Sequence, residues 1–224
     1  AIMSLILNID TALDVASVCL AKNEELMHIS FNENQKDHAA WLHHAIAELL
    51  EKAGYQIKNL EAIAVSIGPG SYTGLRVGLA AAKGFCYALN IPLITINTLK
   101  LIAFAAKDEA TQLICPLIDA RRMEVFTAIY YKNTEEKIPP HSMIIDENSF
   151  AGLLLSEKIL FCGNGIKKLQ PLLTSTNAAF SNKIADASHL AQLSMPLFNK
   201  GQFADLAYTE PFYLKEFYSS AGKN

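Results

Sequence analysis

The pattern of apolar and polar positions predicts short strands alternating with helices along most of the chain. Apolar runs rich in β-branched residues are typical of buried strands, and alternation over a few residues is typical of half-buried ones. The predicted strands are 5–9, 15–21, 26–31, 62–67, 93–96, 113–118, 126–131 and 159–162. The predicted helices are 36–53, 73–89, 98–107, 150–155, 166–173 and 187–200, with Thr98 and Ser188 as caps of two of them. The polar, proline-containing stretch 132–146 is predicted to be a loop or a ragged sheet edge.

The order of these elements predicts an α/β fold. Three strands joined by short turns favour an antiparallel meander at the start of the chain. From 62 to 119 strands and helices alternate, which indicates parallel strands joined by right-handed crossovers. A second unit is expected to begin near Leu113.

The stretch from Ala62 to Asn90 organises the rest. A buried strand runs into Gly68-Pro69-Gly70, and a helix of about four turns follows, with Ser71 or Thr73 as its cap. A strand, a glycine-rich turn and a helix N-terminus can cradle an anion. The spacing fits neither a Walker loop nor a dinucleotide loop, so a tight turn that binds nothing is the alternative.

The helix over 73–89 is apolar nearly all round, which predicts burial on two sides. One face suits a sheet and consists of Leu75, Leu79, Ala82, Cys86 and Leu89. The opposite face consists of Val77, Ala81, Gly84 and Ala88, whose small side chains allow another helix to approach closely. That second helix could belong to this chain or to a partner.

The segment I-G-P-G-S-Y-T-G-L-R-V-G-L-A-A-A-K-G, residues 67–84, resembles the signature of the TsaB family of tRNA threonylcarbamoyladenosine biosynthesis proteins. Two further stretches resemble that family: D-A-R-R-M-E-V at 119–125 and P-F-Y-L-K at 211–215. The resemblance runs from Leu5 to about Lys215, nearly the whole chain.

The resemblance implies two ribonuclease-H-like lobes of the actin/Hsp70-like ATPase superfamily. Each lobe would hold a mixed sheet flanked by helices, and the second lobe would be reduced. On this basis we expect an N-terminal lobe with partner-binding helices at 1–110 and a C-terminal lobe at 111–224.

The resemblance also implies a function without chemistry of its own. TsaB-like proteins act as partner and scaffold of a TsaD-type transferase, which threonylcarbamoylates adenosine 37 of tRNA. A TsaE-type ATPase joins the complex, tRNA is met indirectly through it, and the protein forms a homodimer when alone. The expected partner interface comprises His38, Trp41, Ala45, Val77, Ala81, Gly84 and Ala88.

A vestigial nucleotide cleft is expected at the superfamily's phosphate and adenosine loops, here Asp10, Thr11, Gly68, Gly70, Gly163 and Gly165. Arg121 stands where the ATPases carry a phosphate-loop glycine, which argues against ATP hydrolysis. No cofactor is expected to be required, although a nucleotide at the complex interface stays open. The alternatives are ordinary turn residues and, around Asp119, Arg121 and Glu124, a surface salt-bridge cluster.

No catalytic residue and no metal ligand is predicted. His38, His43 and His44 share one helix, but no two of them have the i, i+3 or i, i+4 spacing that places two ligands on one face of a helix. The H-x-x-x-H of the TsaD transferases is absent, as are zinc-protease and Ser/His/Asp patterns. The competing hypothesis is an ATP-binding or ATP-hydrolysing enzyme, or a protease-like one.

Amino-acid composition limits the partners and the cellular location that the protein can be expected to have. Charged residues make up 18% of the chain, below the roughly 25% of ordinary globular proteins, which indicates a large core or a sizeable interface. The net charge of −3 gives no general attraction to nucleic acid. The four widely spaced cysteines read as buried thiols. With no apolar run long enough for a membrane span and no signal peptide, a cytoplasmic protein without membrane contact is expected.

Overall fold

Two five-stranded mixed sheets form the frame of the molecule. The structure is a computed structural model that describes residues 4–23, 25–34 and 37–215. The strands of the first sheet are β1 (Leu5–Asp10), β2 (Ala16–Lys22), β3 (Glu25–Asn32), β4 (Ala62–Ser66) and β5 (Leu93–Ile96). Those of the second sheet are β6 (Leu113–Asp119), β7 (Glu124–Tyr131), β8 (Glu136–Ile144), β9 (Ile159–Cys162) and β10 (Ala178–Phe180).

The two sheets repeat one topology. The first has the order β3-β2-β1-β4-β5 and the second the order β8-β7-β6-β9-β10. In each, three antiparallel strands form the meander and two further strands run parallel to its first strand. The predicted α/β fold with two ribonuclease-H-like lobes is therefore confirmed, and the lobes repeat in structure although no repeat is visible in the sequence.

Six helices of the described residues cover the sheets. They are α1 (His38–Ala53), α2 (Tyr72–Leu89), α3 (Thr98–Ala106), α4 (Ala151–Leu154), α5 (Ile166–Leu169) and α6 (Ala187–Asn199). The helices α1 and α2 pack on the outer face of the first sheet, whereas α3 and α6 fill the space between the sheets. The outer face of the second sheet has only the four-residue helices α4 and α5, which is the expected reduction of that lobe.

Two helix caps differ from the sequence prediction. Ser71 caps α2 as expected, accepting a hydrogen bond from Gly74 N at 3.3 Å. Thr98 is not the cap of α3, because Asn97 accepts from Leu99 N at 2.9 Å. Likewise Asp186, not Ser188, caps α6. In both helices the true cap lies one or two residues earlier, and asparagine and aspartate rank with serine and above threonine as caps.

Of the two alternatives predicted for 132–146, the loop is wrong and the sheet edge is right. Most of it forms β8, which pairs with β7 despite Pro139 and Pro140. Because β8 lies at the edge of its sheet, one side of the strand needs no backbone donors, and edge strands tolerate proline for this reason. The three-residue strand β10 was too short to show in the pattern.

The N-terminal half of α2 is pressed against the turn after β1. A Cβ on Gly74 would lie 2.0 Å from the carbonyl oxygen of Thr11, and one on Gly78 would lie 2.3 Å from its hydroxyl. That hydroxyl donates to the carbonyl of Gly74 at 2.7 Å. By contrast, a Cβ on Gly84 would meet nothing within 4 Å. Close contact with Thr11 therefore requires glycine at positions 74 and 78, whereas position 84 has room for a side chain.

We expect Gly74→Ala to destabilise the fold although alanine is the better helix former. Its new methyl group would overlap backbone, and overpacking costs typically ~1–3 kcal/mol. The matched control, Gly84→Ala, adds the same group in open space and should stabilise the fold by roughly 0.5–1 kcal/mol. Urea unfolding of both variants measures the difference. A Gly74→Ala protein as stable as the control would contradict the described contact.

Candidate functional site

The three segments that carry the family resemblance meet at one place. The loop before α2, the hairpin loop between β6 and β7, and the segment after residue 210 come together near the N-terminal end of α2. The Phe212 amide donates to the carbonyl of Ile67 at 2.7 Å. Further out, Lys215 Nζ lies 2.5 Å from Glu124 Oε2. The C-terminal segment thus ties the two lobes together.

A cavity of about 360 Å³ opens where these segments meet. The residues around it are basic, aromatic or small and apolar, and none of them is acidic: Pro69, Gly70, Tyr72, Ala120, Arg121, Phe126, Phe212, Tyr213, Leu214 and Lys215. We call this space the motif cavity. Its volume falls within the range of about 300–1,000 Å³ that small-molecule sites occupy.

One wall of the motif cavity is a pair of tyrosines, which Arg76 contacts from outside the cavity. The guanidinium of Arg76 lies 3.9 Å from the centre of the Tyr72 ring, and its Nε donates to the Tyr213 hydroxyl at 3.1 Å. The two tyrosine rings are 5.3 Å apart. Contacts of this kind fix the orientation of all three side chains.

The two acidic residues of the β6–β7 hairpin, Asp119 and Glu124, each form an ion pair that the sequence did not predict. Asp119 is bound by Lys168 at 2.5 Å, and Glu124 by Lys215. Arg121 contributes only its backbone amide to Asp119, at 2.6 Å. Partial burial opposes ionisation of Asp119, but these hydrogen bonds and the nearby ammonium outweigh it and lower the pKa. The salt-bridge cluster therefore forms without the arginine that was expected in it.

Asp10 and Thr11, expected in a nucleotide cleft, are fully buried. Thr11 lies against α2, whereas the Asp10 carboxyl group lies on the other face of the sheet, on the side of α6. Among the described residues its Oδ2 has no hydrogen-bond partner. Ser66 Oγ donates to Asp10 Oδ1 at 2.5 Å, and the Ala12 amide donates to the same oxygen at 3.2 Å. Burial raises the pKa of Asp10 above its ordinary value. The hydroxyl of Thr11 is used by the carbonyl of Gly74.

The two loop glycines before α2 pack against backbone of this chain. A Cβ on Gly68 would lie 2.4 Å from the carbonyl oxygen of Phe212, and Gly68 has a φ of 120°, which only glycine adopts easily. One on Gly70 would lie 2.3 Å from the carbonyl oxygen of Ala12. In both cases a segment of the protein takes the space above the glycine.

The glycines after β9 repeat this arrangement in the second lobe. Gly163 and Gly165 both pack against Leu117, with a Cβ on the first only 2.5 Å from its carbonyl oxygen. Gly163 also borders a cavity of about 260 Å³ between the lobes, together with Asn164 and Lys183. Sequence alone could not reveal what fills the space above each glycine.

The residues predicted for the partner interface divide into covered and uncovered ones. His38 and Ala45 are 4% and 2% exposed, and Ala81 is 9% exposed, because α1 and α2 pack together over the sheet. Trp41 and Val77 are half-buried. Of the seven predicted residues, Gly84 and Ala88 are exposed. The expectation that Ala81 lies on a free face is thus corrected, whereas Leu75, Leu79, Ala82 and Cys86 face the sheet as predicted.

A continuous exposed surface nevertheless remains on the two helices. We call it the α1–α2 surface; it consists of Ala39, Ala40, His43 and Ala47 on α1 and Ala80, Gly84, Tyr87 and Ala88 on α2, with half-buried Val77 at its edge. The rings of His43 and Phe85 meet at 5.7 Å where the helices adjoin. Sequence reasoning missed Ala80 and Tyr87, although their three- and four-residue spacing from Gly84 places all three on one face.

The three histidines of α1 do not converge. His38 is buried beside Asn32, and burial lowers the pKa of its imidazole. His44 is exposed and lies 3.3 Å from Glu48. Among residues 4–23, 25–34 and 37–215, no group of three or more histidine, cysteine, aspartate or glutamate side chains is placed to hold a metal ion. Nor does any helix in those ranges have the length and apolar character needed to cross a membrane.

Comparison with known proteins adds relatives along the whole chain. The sequence model of the family described as "TsaD: tRNA N6-adenosine threonylcarbamoyltransferase" matches residues 29–210. The TsaB protein of Bacillus subtilis is 32% identical over 143 residues, which span 62% of each chain. That of Escherichia coli is 27% identical over 224 residues, 94% of each chain. Both are named tRNA threonylcarbamoyladenosine biosynthesis protein TsaB.

A solved structure supports the fold independently. The crystal structure of a Pseudomonas aeruginosa protein, described as similar to peptidase YeaZ, matches 95% of this chain and 100% of its own with a TM-score of 0.83 at 23% identity. The two-lobe architecture is therefore found in an experimental structure. Since the family model spans residues 29–210, most of the sequence, the chain belongs to the TsaD family and, within it, to the TsaB-like proteins.

Proposed function

We propose that this chain is a non-catalytic partner and scaffold of a TsaD-type transferase in the threonylcarbamoylation of adenosine 37 of tRNA. The names of its relatives support the pathway, and the E. coli TsaB matches over 94% of both lengths. The observation that carries the scaffold role is the α1–α2 surface, which is built of small, uncharged side chains around one exposed tyrosine.

The chemistry of the α1–α2 surface suits a protein partner. Charged residues are depleted from the centres of protein interfaces, whereas tyrosine is enriched at hot spots. The two charges of α2 are both drawn to the side: Lys83 Nζ donates to the carbonyls of Ala207 and Thr209, and Arg76 binds Tyr213. Tyr87, near the C-terminal end of α2, is 83% exposed. Small neighbours allow a partner helix to pack at the short end of the ~8–10 Å interaxial range.

The remaining partners follow from the same proposal. A TsaE-type ATPase would join the complex, and tRNA would be bound by the assembly as a whole. Without the transferase, two copies of the chain would pair through the α1–α2 surface about a two-fold axis, burying well over ~1,000 Å² in total. The work would take place in the cytoplasm, where tRNA is modified.

Several contacts support a non-catalytic role. The Asp10 carboxyl group is fully buried, and its Oδ1 accepts hydrogen bonds from Ser66 and Ala12. The glycines at both predicted phosphate and adenosine loops pack against the chain's own backbone, so a phosphate would have to displace Ala12, Leu117 or Phe212. These features disfavour the alternative of an actin-like ATPase.

We expect Gly84→Leu to abolish pairing with the TsaD-type transferase. The new side chain would stand on the α1–α2 surface, where the partner backbone has to come close. Nothing lies within 4 Å of the position, so the fold of the monomer should lose no stability and should gain up to about 1 kcal/mol from the better helix former. Size-exclusion chromatography of the mixed proteins measures pairing, and thermal melting measures stability.

The second lobe offers a matched control for this variant. Gly152 lies in α4, is exposed, and also has nothing within 4 Å of its Cβ position. Gly152→Leu therefore makes the same chemical change away from the α1–α2 surface and should pair normally. If both variants pair as well as the unmodified chain, the α1–α2 surface is not the site that binds the transferase. Equal loss of pairing would show that added bulk acts through some other route.

We expect negligible ATP hydrolysis by the purified chain alone. Phosphate release measured over hours should stay at the background of a protein-free control. The reason is the burial of Asp10 and the backbone that covers both glycine loops. The prediction fails if turnover approaches the ~10 s⁻¹ median of enzymes and the near-isosteric variant Asp10→Asn abolishes it.

A further inference from the structure

The motif cavity is lined by an arginine, Arg121, whose guanidinium group forms no ion pair with the described residues. Arg121 is exposed, lines the cavity, and has no hydrogen bond or ion pair to its guanidinium within the part of the chain that the structure describes. The second cation, Lys215, is held by Glu124. Glu124 and Asp119 are the acidic groups of this hairpin, and each is already neutralised by a lysine. The cavity is thus left with an uncompensated positive charge.

The other walls of the cavity are aromatic. Tyr72 and Tyr213 lie 5.3 Å apart, and Phe126 and Phe212 complete the lining. Flat rings beside a cation are the combination by which proteins hold single nucleotides and unstacked bases, since every base has a face that stacks and a phosphate that seeks an arginine. Arginine is suited to this role because its fork can bind two phosphate oxygens at once.

We infer that the motif cavity binds a nucleotide unit of an RNA strand, with its phosphate at Arg121 and its base against the rings of Tyr213, Phe126 and Phe212. The choice of an RNA strand over a free nucleotide rests on the proposed function in tRNA modification. The site lies beyond the N-terminal end of α2, where its ligand leaves the Gly84–Ala88 part of the α1–α2 surface free. One subunit could therefore pair with a transferase and contact RNA at the same time.

The adjacent residue provides a matched control. Arg122 lies in the same turn, is exposed, and has a left-handed backbone like Arg121, with φ values of 50° and 71°. It does not line the motif cavity. Arg121→Gln and Arg122→Gln thus remove the same charge from neighbouring positions that both have a left-handed backbone.

The test is fluorescence anisotropy with a labelled, unmodified tRNA anticodon stem-loop and the full chain, repeated over a range of salt concentrations. Arg121→Gln should weaken binding roughly tenfold, the effect of losing one charge-assisted contact. It should also lower the slope of log K against log salt by about 0.7, the value for one single-stranded phosphate. Arg122→Gln should change affinity less than twofold. Arg121→Lys keeps the charge and should recover most of the binding, and thermal melting checks that every variant is folded.

Competition with AMP distinguishes an RNA strand from a free nucleotide as the ligand of the motif cavity. If AMP at millimolar concentration leaves the RNA bound, the ligand is an RNA strand. If AMP itself binds and requires Arg121, the cavity takes a free nucleotide, and the RNA part of the inference is overturned. Equal loss by both glutamine variants, or no binding of either ligand to the wild-type chain, overturns the site altogether.

Pairing with the TsaD-type transferase is measured on the same variants. Normal pairing by Arg121→Gln, together with lost RNA binding, supports the inference. A wild-type chain that pairs but binds neither RNA nor AMP refutes the inference and leaves the proposed function intact. A chain that binds RNA through Arg121 but never pairs refutes the proposed function instead.

Discussion

The backbone contact between α2 and the turn after β1 fixes the geometry of the N-terminal lobe. Gly74 and Gly78 let the helix lie directly on Thr11, and the threonine hydroxyl bonds back to the helix. Gly70 makes the same approach to Ala12 at the start of the helix. With its first turns held in this way, α2 cannot rotate about its axis. The residues that face outward are therefore determined by those that face Thr11.

This contact explains two features that would otherwise be unrelated. It places the glycine-rich loop against the chain's own backbone, although the same sequence pattern suggested an anion cradle. It also presents Ala80, Gly84 and Ala88 to the outside, at positions where surface helices usually carry charged side chains. The C-terminal segment completes this surface, because its carbonyls and Tyr213 bind Lys83 and Arg76.

Much of the fold could be predicted from the sequence because strand and helix periods were clear. The apolar face of α2 was assigned to the sheet, and Leu75, Leu79 and Cys86 are buried there. The strand β8 was missed because its prolines argue against a strand unless its edge position is known. That position depends on long-range pairing, which local pattern does not contain.

The candidate site was less predictable than the fold. Periodicity showed that α2 has two apolar faces but not that α1 covers part of the second one, so Ala81 and Ala45 were assigned to an open surface. The pairing of Asp119 with Lys168 joins residues far apart in sequence. Because Lys168 takes Asp119, the guanidinium of Arg121 has no partner among the described residues, which also required the three-dimensional structure.

Site-specific photocrosslinking tests the central claim, that the α1–α2 surface meets the transferase. Two exposed apolar residues offer a matched pair: Tyr87 on α2 is 83% exposed, and Leu155 after α4 in the second lobe is 86% exposed. A benzophenone amino acid at each position, irradiated with the TsaD-type transferase present, reports which one is in contact. We expect a crosslink to the transferase from position 87 and none from position 155. A crosslink from position 155 alone would contradict the account.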